Sequence, residues 1–174
     1  MKTKILLFNL PPSGGSLFPI SLGYIAASLK NKNFETAIAE IDTITPGTGQ
    51  SIADFVLKFK PAIAGFSVYQ ANTGLAVQLA KLVKMIDPRI LVVIGGPQAT
   101  FMPSEALLQM PCVDVISRGE GEVVLPELAG CLKNKRDISG VKNITFRSEC
   151  SIVDTPRKPF SRDLDSFVSP YKYR

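Results

Sequence analysis

Apolar residues recur along the chain in short unbroken blocks, separated by stretches with helical spacing. Residues 4–10 form an apolar run stopped by Pro11 and Pro12, which predicts a buried strand. Over 17–30 the positions Leu22, Ile25, Ala26 and Leu29 repeat at helical intervals. Residues 34–41 read as a second strand and 42–50 as a Thr/Gly/Pro loop. Ser51 is placed to cap a helix carrying Ile52, Phe55, Val56 and Phe59, with Pro61 as its stop. A third strand is expected over 62–68. Leu75, Leu79, Leu82, Val83 and Ile86 then line one side of a helix over 73–86, ended by Asp87 and Pro88. The fourth strand, 90–94, is apolar throughout and is broken by Gly95, Gly96 and Pro97. A short helix over 104–110, a fifth strand over 113–117 and a helix over 121–132 complete the pattern. Beyond that point periodicity fades. Residues 143–147 and 151–153 read as a small hairpin, and 155–174 is Pro-rich, basic and aperiodic.

Five strands alternating with helices imply right-handed crossovers and a parallel sheet. Strands apolar at nearly every position fit burial on both faces. The expected fold is α/β: a flavodoxin-like or Rossmann-like doubly wound sheet of five parallel strands, followed by a small C-terminal hairpin and linker. The expected division is an α/β domain over 1–135 and a hairpin with basic linker over 136–174.

Composition narrows the chemistry. The 174 residues suffice for one core without disulfide or metal staples. There is no histidine, which excludes a Ser-His-Asp triad, a Cys-His pair and any imidazole-ligated metal or cofactor. Cys112, Cys131 and Cys150 are odd in number and widely spaced, as bystander thiols are. Residues 1–132 hold ten basic and ten acidic side chains, and 133–174 hold ten and five, so the whole excess of +5 lies in the tail. A nucleic-acid binder would more often carry its basic face on the folded body, and no nucleic acid is expected. The apolar runs are too short to span a bilayer, and the N-terminal run meets Pro11 and Pro12 with no cleavage signal after it. A cytoplasmic protein without membrane contact is expected.

In open α/β sheets, ligands bind outside the carboxyl ends of the strands. Four loops rich in glycine or small polar residues fall there, at 11–16, 67–72, 95–100 and 118–122. Glycine lets a ligand approach the backbone, and helix starts behind such loops favour anions. Sharper motifs are absent. No G-x-x-x-x-G-K-[ST] is present, and Gly119-x-Gly121 and Gly47-x-Gly49 lack the third glycine of a dinucleotide fingerprint. The acidic positions of a response-regulator receiver hold Asn9 and Ser67 instead. No carboxylate pair is placed for acid/base work, and Glu120 and Glu122 read as partners of a helix dipole. No catalytic or metal-binding residue is assigned.

The contents of that edge resemble the N-terminal cobalamin-binding domain of B12-dependent radical SAM enzymes, the anaerobic magnesium-protoporphyrin monomethyl ester cyclase type among them. The resemblance rests on Pro11-Pro12 followed by Pro19-x-x-Leu22-Gly23-Tyr24-Ile25-Ala26-x-x-Leu29, on Gly95-Gly96-Pro97-Gln98-Ala99-Thr100, and on Gly119-Glu120-Gly121-Glu122 opening a helix. Arg162-Asp163-Leu164-Asp165, leading to Pro170-Tyr171, resembles the linker into the radical SAM barrel. The widely known cobalamin signature has Asp-x-His-x-x-Gly, then Ser-x-Leu, then Gly-Gly. Aligning its glycine with Gly23 puts Ile20 at the histidine position and Phe18 at the aspartate position. Ser67-Val68-Tyr69 and Gly95-Gly96 match the other parts.

The resemblance implies cobalamin held base-off and without a histidine ligand, and a strand order of 2-1-3-4-5. The cofactor-binding residues it implies are Pro12, Ser13, Gly14, Gly15, Gly23, Ser67, Val68, Tyr69, Gln70, Gly95, Gly96, Pro97, Gly119, Glu120 and Gly121. Ser67 would donate to the cofactor's tail, and Gly95 and Gly96 would let that tail pass. The radical SAM motif C-x-x-x-C-x-x-C is absent. S-adenosylmethionine and a 4Fe-4S cluster would therefore belong to a C-terminal radical SAM domain of the same polypeptide, and the chain would be one module of a longer methyltransferase or cyclase. Two alternatives remain open: a flavin- or nucleotide-binding flavodoxin-like domain using Ser13-Gly14-Gly15-Ser16 as a phosphate cradle, and a ligand-free docking module.

Overall fold

The computed structural model describes residues 2–10, 20–41, 45–149 and 151–172. Seven strands form one sheet: β1 (Lys4–Asn9), β2 (Glu35–Glu40), β3 (Ile63–Ser67), β4 (Leu91–Gly95), β5 (Val115–Ser117), β6 (Ile144–Arg147) and β7 (Ile152–Asp154). Their order is β2-β1-β3-β4-β5-β6-β7. β1 to β5 are parallel in the order 2-1-3-4-5, and β6 and β7 continue the same sheet antiparallel. The hairpin expected after residue 135 is thus an extension of the sheet's β5 edge, with Val115 opposite Phe146 and Ser117 opposite Ile144.

Helices α1 (Ile20–Asn31), α2 (Thr48–Phe59), α3 (Thr73–Ile86), α4 (Pro97–Phe101) and α5 (Gly121–Lys133) connect the strands. Side-chain alternation along each strand divides the core into two layers. Leu6, Phe8, Val92, Ile94 and Ile116 face the α2–α3 layer with Val56, Leu79 and Val83. Ile5, Leu7, Val93 and Val115 face the α1–α5 layer with Leu22, Leu29, Val124 and Leu128. Phe8 and Phe66 stack across β1 and β3 with ring centroids 4.5 Å apart. Burial on both faces is the reason these strands carry no polar alternation.

Three local expectations need correction. The second helix starts at Thr48, not Ser51. Gly47 is its cap, and the Ser51 N–H already donates to the Gly47 carbonyl inside the first turn. Gly96-Pro97 does more than break β4: Gly96 caps the one-turn α4, and Pro97 opens it with the fixed φ a helix start needs. The expected helix over 104–110 is a tighter 3-10 segment, Ser104–Gln109.

Candidate functional site

β3, β4 and β5 end side by side at one edge of the sheet, with Ser67 paired to Gly95 and the Gly95 backbone close to Ser117. Mid-strand Gly65 lacks a side chain, and one there would press to 3.0 Å from Leu7 Cδ2. Gly65 and Gly95 leave space above Leu7 and Val93, under the first turns of α1 and α5. The result is a cavity of about 310 Å3, floored by Leu7, Gly65 and Val93 and walled by Leu22, Ile25 and Leu125. Its rim is polar: Ser67, Ser117, Glu120 and Glu122, together with backbone at Gly95, Gly96 and Gly119.

Eight residues singled out in the sequence surround this cavity: Ser67, Tyr69, Gly95, Gly96, Pro97, Gly119, Glu120 and Gly121. Three others stand elsewhere. Gly23 lies on α1 where a Cβ would meet Pro170 at 3.3 Å, so it seats the C-terminal segment. Val68 is buried, with its N–H donating to the Gly95 carbonyl and its carbonyl accepting from the Gln98 N–H. Gln70 is exposed on the loop outside. Pro12, Ser13, Gly14 and Gly15 lie outside the described residues, as does Cys150.

The glycines of the rim have distinct jobs. Gly96 has φ +107, and a Cβ there would lie 3.0 Å from the Val68 carbonyl oxygen, so the β3–α3 and β4–α4 turns cross at contact distance only without a side chain. Gly121 admits Ile25, whose Cδ1 would be 2.6 Å from an added Cβ. That contact packs α1 against α5.

Residues absent from the sequence-derived set hold the rim in shape. Asn72, at the start of α3, is buried. Its Oδ1 accepts from the Tyr69 N–H at 2.8 Å, and its Nδ2 donates to the Leu10 carbonyl at 2.9 Å, tying the end of β1 to the loop after β3. Thr100 joins α4 to the β5–α5 turn. Its hydroxyl donates to the Gly96 carbonyl and accepts from the Gly119 N–H, each at 3.0 Å. Arg118 is only 3% exposed and grips α4 from behind the cavity. Its guanidinium donates to the carbonyls of Thr100 and Met102 and, through Nε, to Thr145 Oγ1 at 2.8 Å. Asp154 on β7 accepts from Ser104 and Thr145, which hold its carboxyl below the usual range against the opposing effect of burial.

Among the described lining residues the charges are the carboxylates Glu120 and Glu122, with no cation. Burial pushes the Glu122 carboxyl up, and Glu120 nearby adds to the shift. Among the described residues no group of three His, Cys, Asp or Glu could hold a metal, and no helix is long and apolar enough to cross a membrane.

Comparisons with known proteins show what the chain is similar to. A family model described as the B12 binding domain matches residues 9–129. The chain is 28% identical over 179 residues to an uncharacterized methyltransferase of Pyrococcus horikoshii, covering 98% of this chain and 38% of that protein. It is 31% identical to the anaerobic magnesium-protoporphyrin IX monomethyl ester cyclase of Cereibacter sphaeroides, over 87% of this chain and 25% of the cyclase. It is 36% identical to the cobalamin-dependent radical SAM methyltransferase TokK of Streptomyces tokunonensis, over 70% of this chain and 18% of TokK. The fold superposes on the radical S-adenosylmethionine methyltransferase TsrM of Kitasatospora setae, solved with cobalamin and a [4Fe-4S] cluster. The TM-score is 0.79 at 19% identity, over 97% of this chain and 31% of TsrM. The chain therefore spans well under half the length of these relatives.

Proposed function

This chain belongs to the B12-binding domain family, and we propose that it holds cobalamin at the strand-end cavity, base-off and without a histidine ligand. The observation that carries the reading is the cavity itself. It lies where open α/β sheets bind ligands, is apolar at its floor, and is rimmed by hydroxyls, open backbone and the carboxylates of Glu120 and Glu122. About 310 Å3 accommodates a bicyclic base but not a corrin ring. The nucleotide tail would enter between Ser67, Gly95 and Ser117, and the ring would rest at the rim near Tyr69 and Pro97. Ser67 and Ser117 would donate to tail oxygens or nitrogens. The apolar floor excludes water from the base, so a base withdrawn from cobalt is not left in solvent. Bound there, cobalamin supplies cobalt for methyl carriage or electron transfer, while the protein supplies orientation and dryness. These 174 residues offer cobalt no imidazole of their own, because they include no histidine.

The flavin or nucleotide alternative fits less well. The family model that matches residues 9–129 is the B12 binding domain, and the Ser13-Gly14-Gly15-Ser16 cradle on which the alternative rests lies outside the described residues. We infer further that the chain works as the cobalamin unit of a longer radical SAM enzyme, with S-adenosylmethionine and a 4Fe-4S cluster in a C-terminal domain. The support is that TokK, named as a cobalamin-dependent radical SAM methyltransferase, is several times longer than the matched segment.

Cobalt(II) electron paramagnetic resonance tests the binding mode. The expected spectrum of the loaded chain has no nitrogen superhyperfine splitting, because neither the cofactor's own base nor an imidazole touches cobalt. A triplet splitting from one axial nitrogen would overturn the base-off assignment.

A further inference from the structure

Phe160 belongs to the C-terminal segment, yet it lines the strand-end cavity. Its ring edge lies against Gly119, where an added Cβ would be 3.2 Å from Cε1, and Gly119 has φ +76. Any other residue at 119 would strain the turn and push the ring away. The next residue is fastened. The Ser161 N–H donates to both carboxylate oxygens of Glu120, at 3.0 and 3.1 Å, across 41 residues of sequence. The segment is also pinned before and after this point. The Lys158 N–H donates to Asn143 Oδ1, the Lys158 ammonium lies 3.7 Å from Glu127, and Pro170 packs on Gly23 of α1. Despite these anchors Phe160 is 66% exposed. A large apolar ring held in place by a charge-assisted clasp, with its face open at a cavity mouth, lacks a partner for that face.

We propose that Phe160 is a cofactor-contacting residue, held by the Glu120–Ser161 clasp as a wall of the cobalamin cavity. The inference rests on the cobalamin reading above and extends the site into a segment that the sequence marks only as linker. The ring covers the part of the cofactor that has entered the cavity, so its main effect is on release. The clasp holds the ring over the cavity, so loosening it frees the ring to leave the cofactor.

The test uses the full chain loaded with hydroxocobalamin. Release is followed by the visible spectrum after dilution, for wild type, Phe160→Ala and Phe160→Leu. Thermal melts without cofactor accompany each variant. The ring is mostly exposed, so both variants should melt with the wild type when empty. Phe160→Ala should release cobalamin about tenfold faster, and Phe160→Leu should fall between. Glu120→Gln keeps the Phe160 side chain but weakens the clasp, and should also speed release. Wild-type release from Phe160→Ala, in a chain that does take up cobalamin, would overturn this inference alone and leave the ring to be covered by another domain. If the wild-type chain takes up no cobalamin, the cofactor reading and this inference fall together.

Discussion

Gly95 and Gly96 are adjacent and respond to substitution in opposite ways. Gly96 has positive φ and its would-be Cβ meets Val68 backbone at 3.0 Å, so Gly96→Val should destabilise the empty protein by ~1–3 kcal/mol in urea melts. Gly95 needs no unusual backbone, and its would-be Cβ lies 3.6 Å from Ser117 Cβ, an ordinary contact. Gly95→Val should melt close to wild type while its side chain takes up cavity space, weakening cobalamin binding more than about tenfold, or ~1.4 kcal/mol. Wild-type binding by Gly95→Val would place the ligand elsewhere. Glu122 gives a pH signature. An unfolded glutamate titrates near 4.5, and burial raises the folded value. The stability tied to the neutral carboxyl is therefore full below 4.5 and is lost as pH rises through the folded value. Glu122→Gln should stabilise the empty chain at neutral pH and change little in acid. Urea melts at the two pH values check this, and destabilisation at neutral pH would mean that the carboxylate is well solvated or paired.

At the scale of elements, the rim is held from behind by a relay from the hairpin. Asp154 of β7 and Thr145 of β6 steady the Arg118 guanidinium, which holds the carbonyl end of α4. Thr145→Val keeps shape but removes the partner of a buried guanidinium nitrogen. It should cost ~1–3 kcal/mol in a denaturant melt and loosen cofactor retention as α4 shifts. An unchanged melt would mean that water replaces the hydroxyl. The relay also shows what the sequence can and cannot disclose. The strands were legible because burial on both faces leaves runs such as Ile5-Leu6-Leu7-Phe8 without polar interruption. The Gly95–Thr100 turn was legible because its glycine, proline and threonine each meet a local backbone demand. Gly65 was missed, although a glycine inside an apolar strand marks a close approach or a missing side chain. Arg118 gave no local sign of burial, since its partners lie on α4 and β6. The Glu120–Ser161 clasp joins residues 41 apart, with no periodicity to connect them. Ser51 is the stronger cap type and points to a later start for the second helix, while the chain turns earlier, at Gly47.

For the whole molecule, the sheet continues past residue 135, and β6 covers the β5 edge. A chain cut after residue 135 would expose that edge together with Val115 and the α5 face that packs on Ile144 and Phe146. It should be poorly soluble or melt without cooperativity, whereas a cut after residue 156 retains the seven-stranded sheet and should melt as one unit. A soluble, cooperative 1–135 fragment would show that the hairpin is dispensable for folding. The longer fragment lacks Phe160 and Ser161, so it should still load cobalamin but release it faster. The central claim is that the cavity at the ends of β3, β4 and β5 holds cobalamin. Its most direct test is to incubate the full chain with hydroxocobalamin, remove free cofactor on a sizing column and record the visible spectrum of the protein peak, with Gly95→Val in parallel. The prediction is near-stoichiometric cobalamin with wild type and strongly reduced retention with a folded Gly95→Val; a colourless wild-type peak, or equal retention by the two proteins, would contradict it.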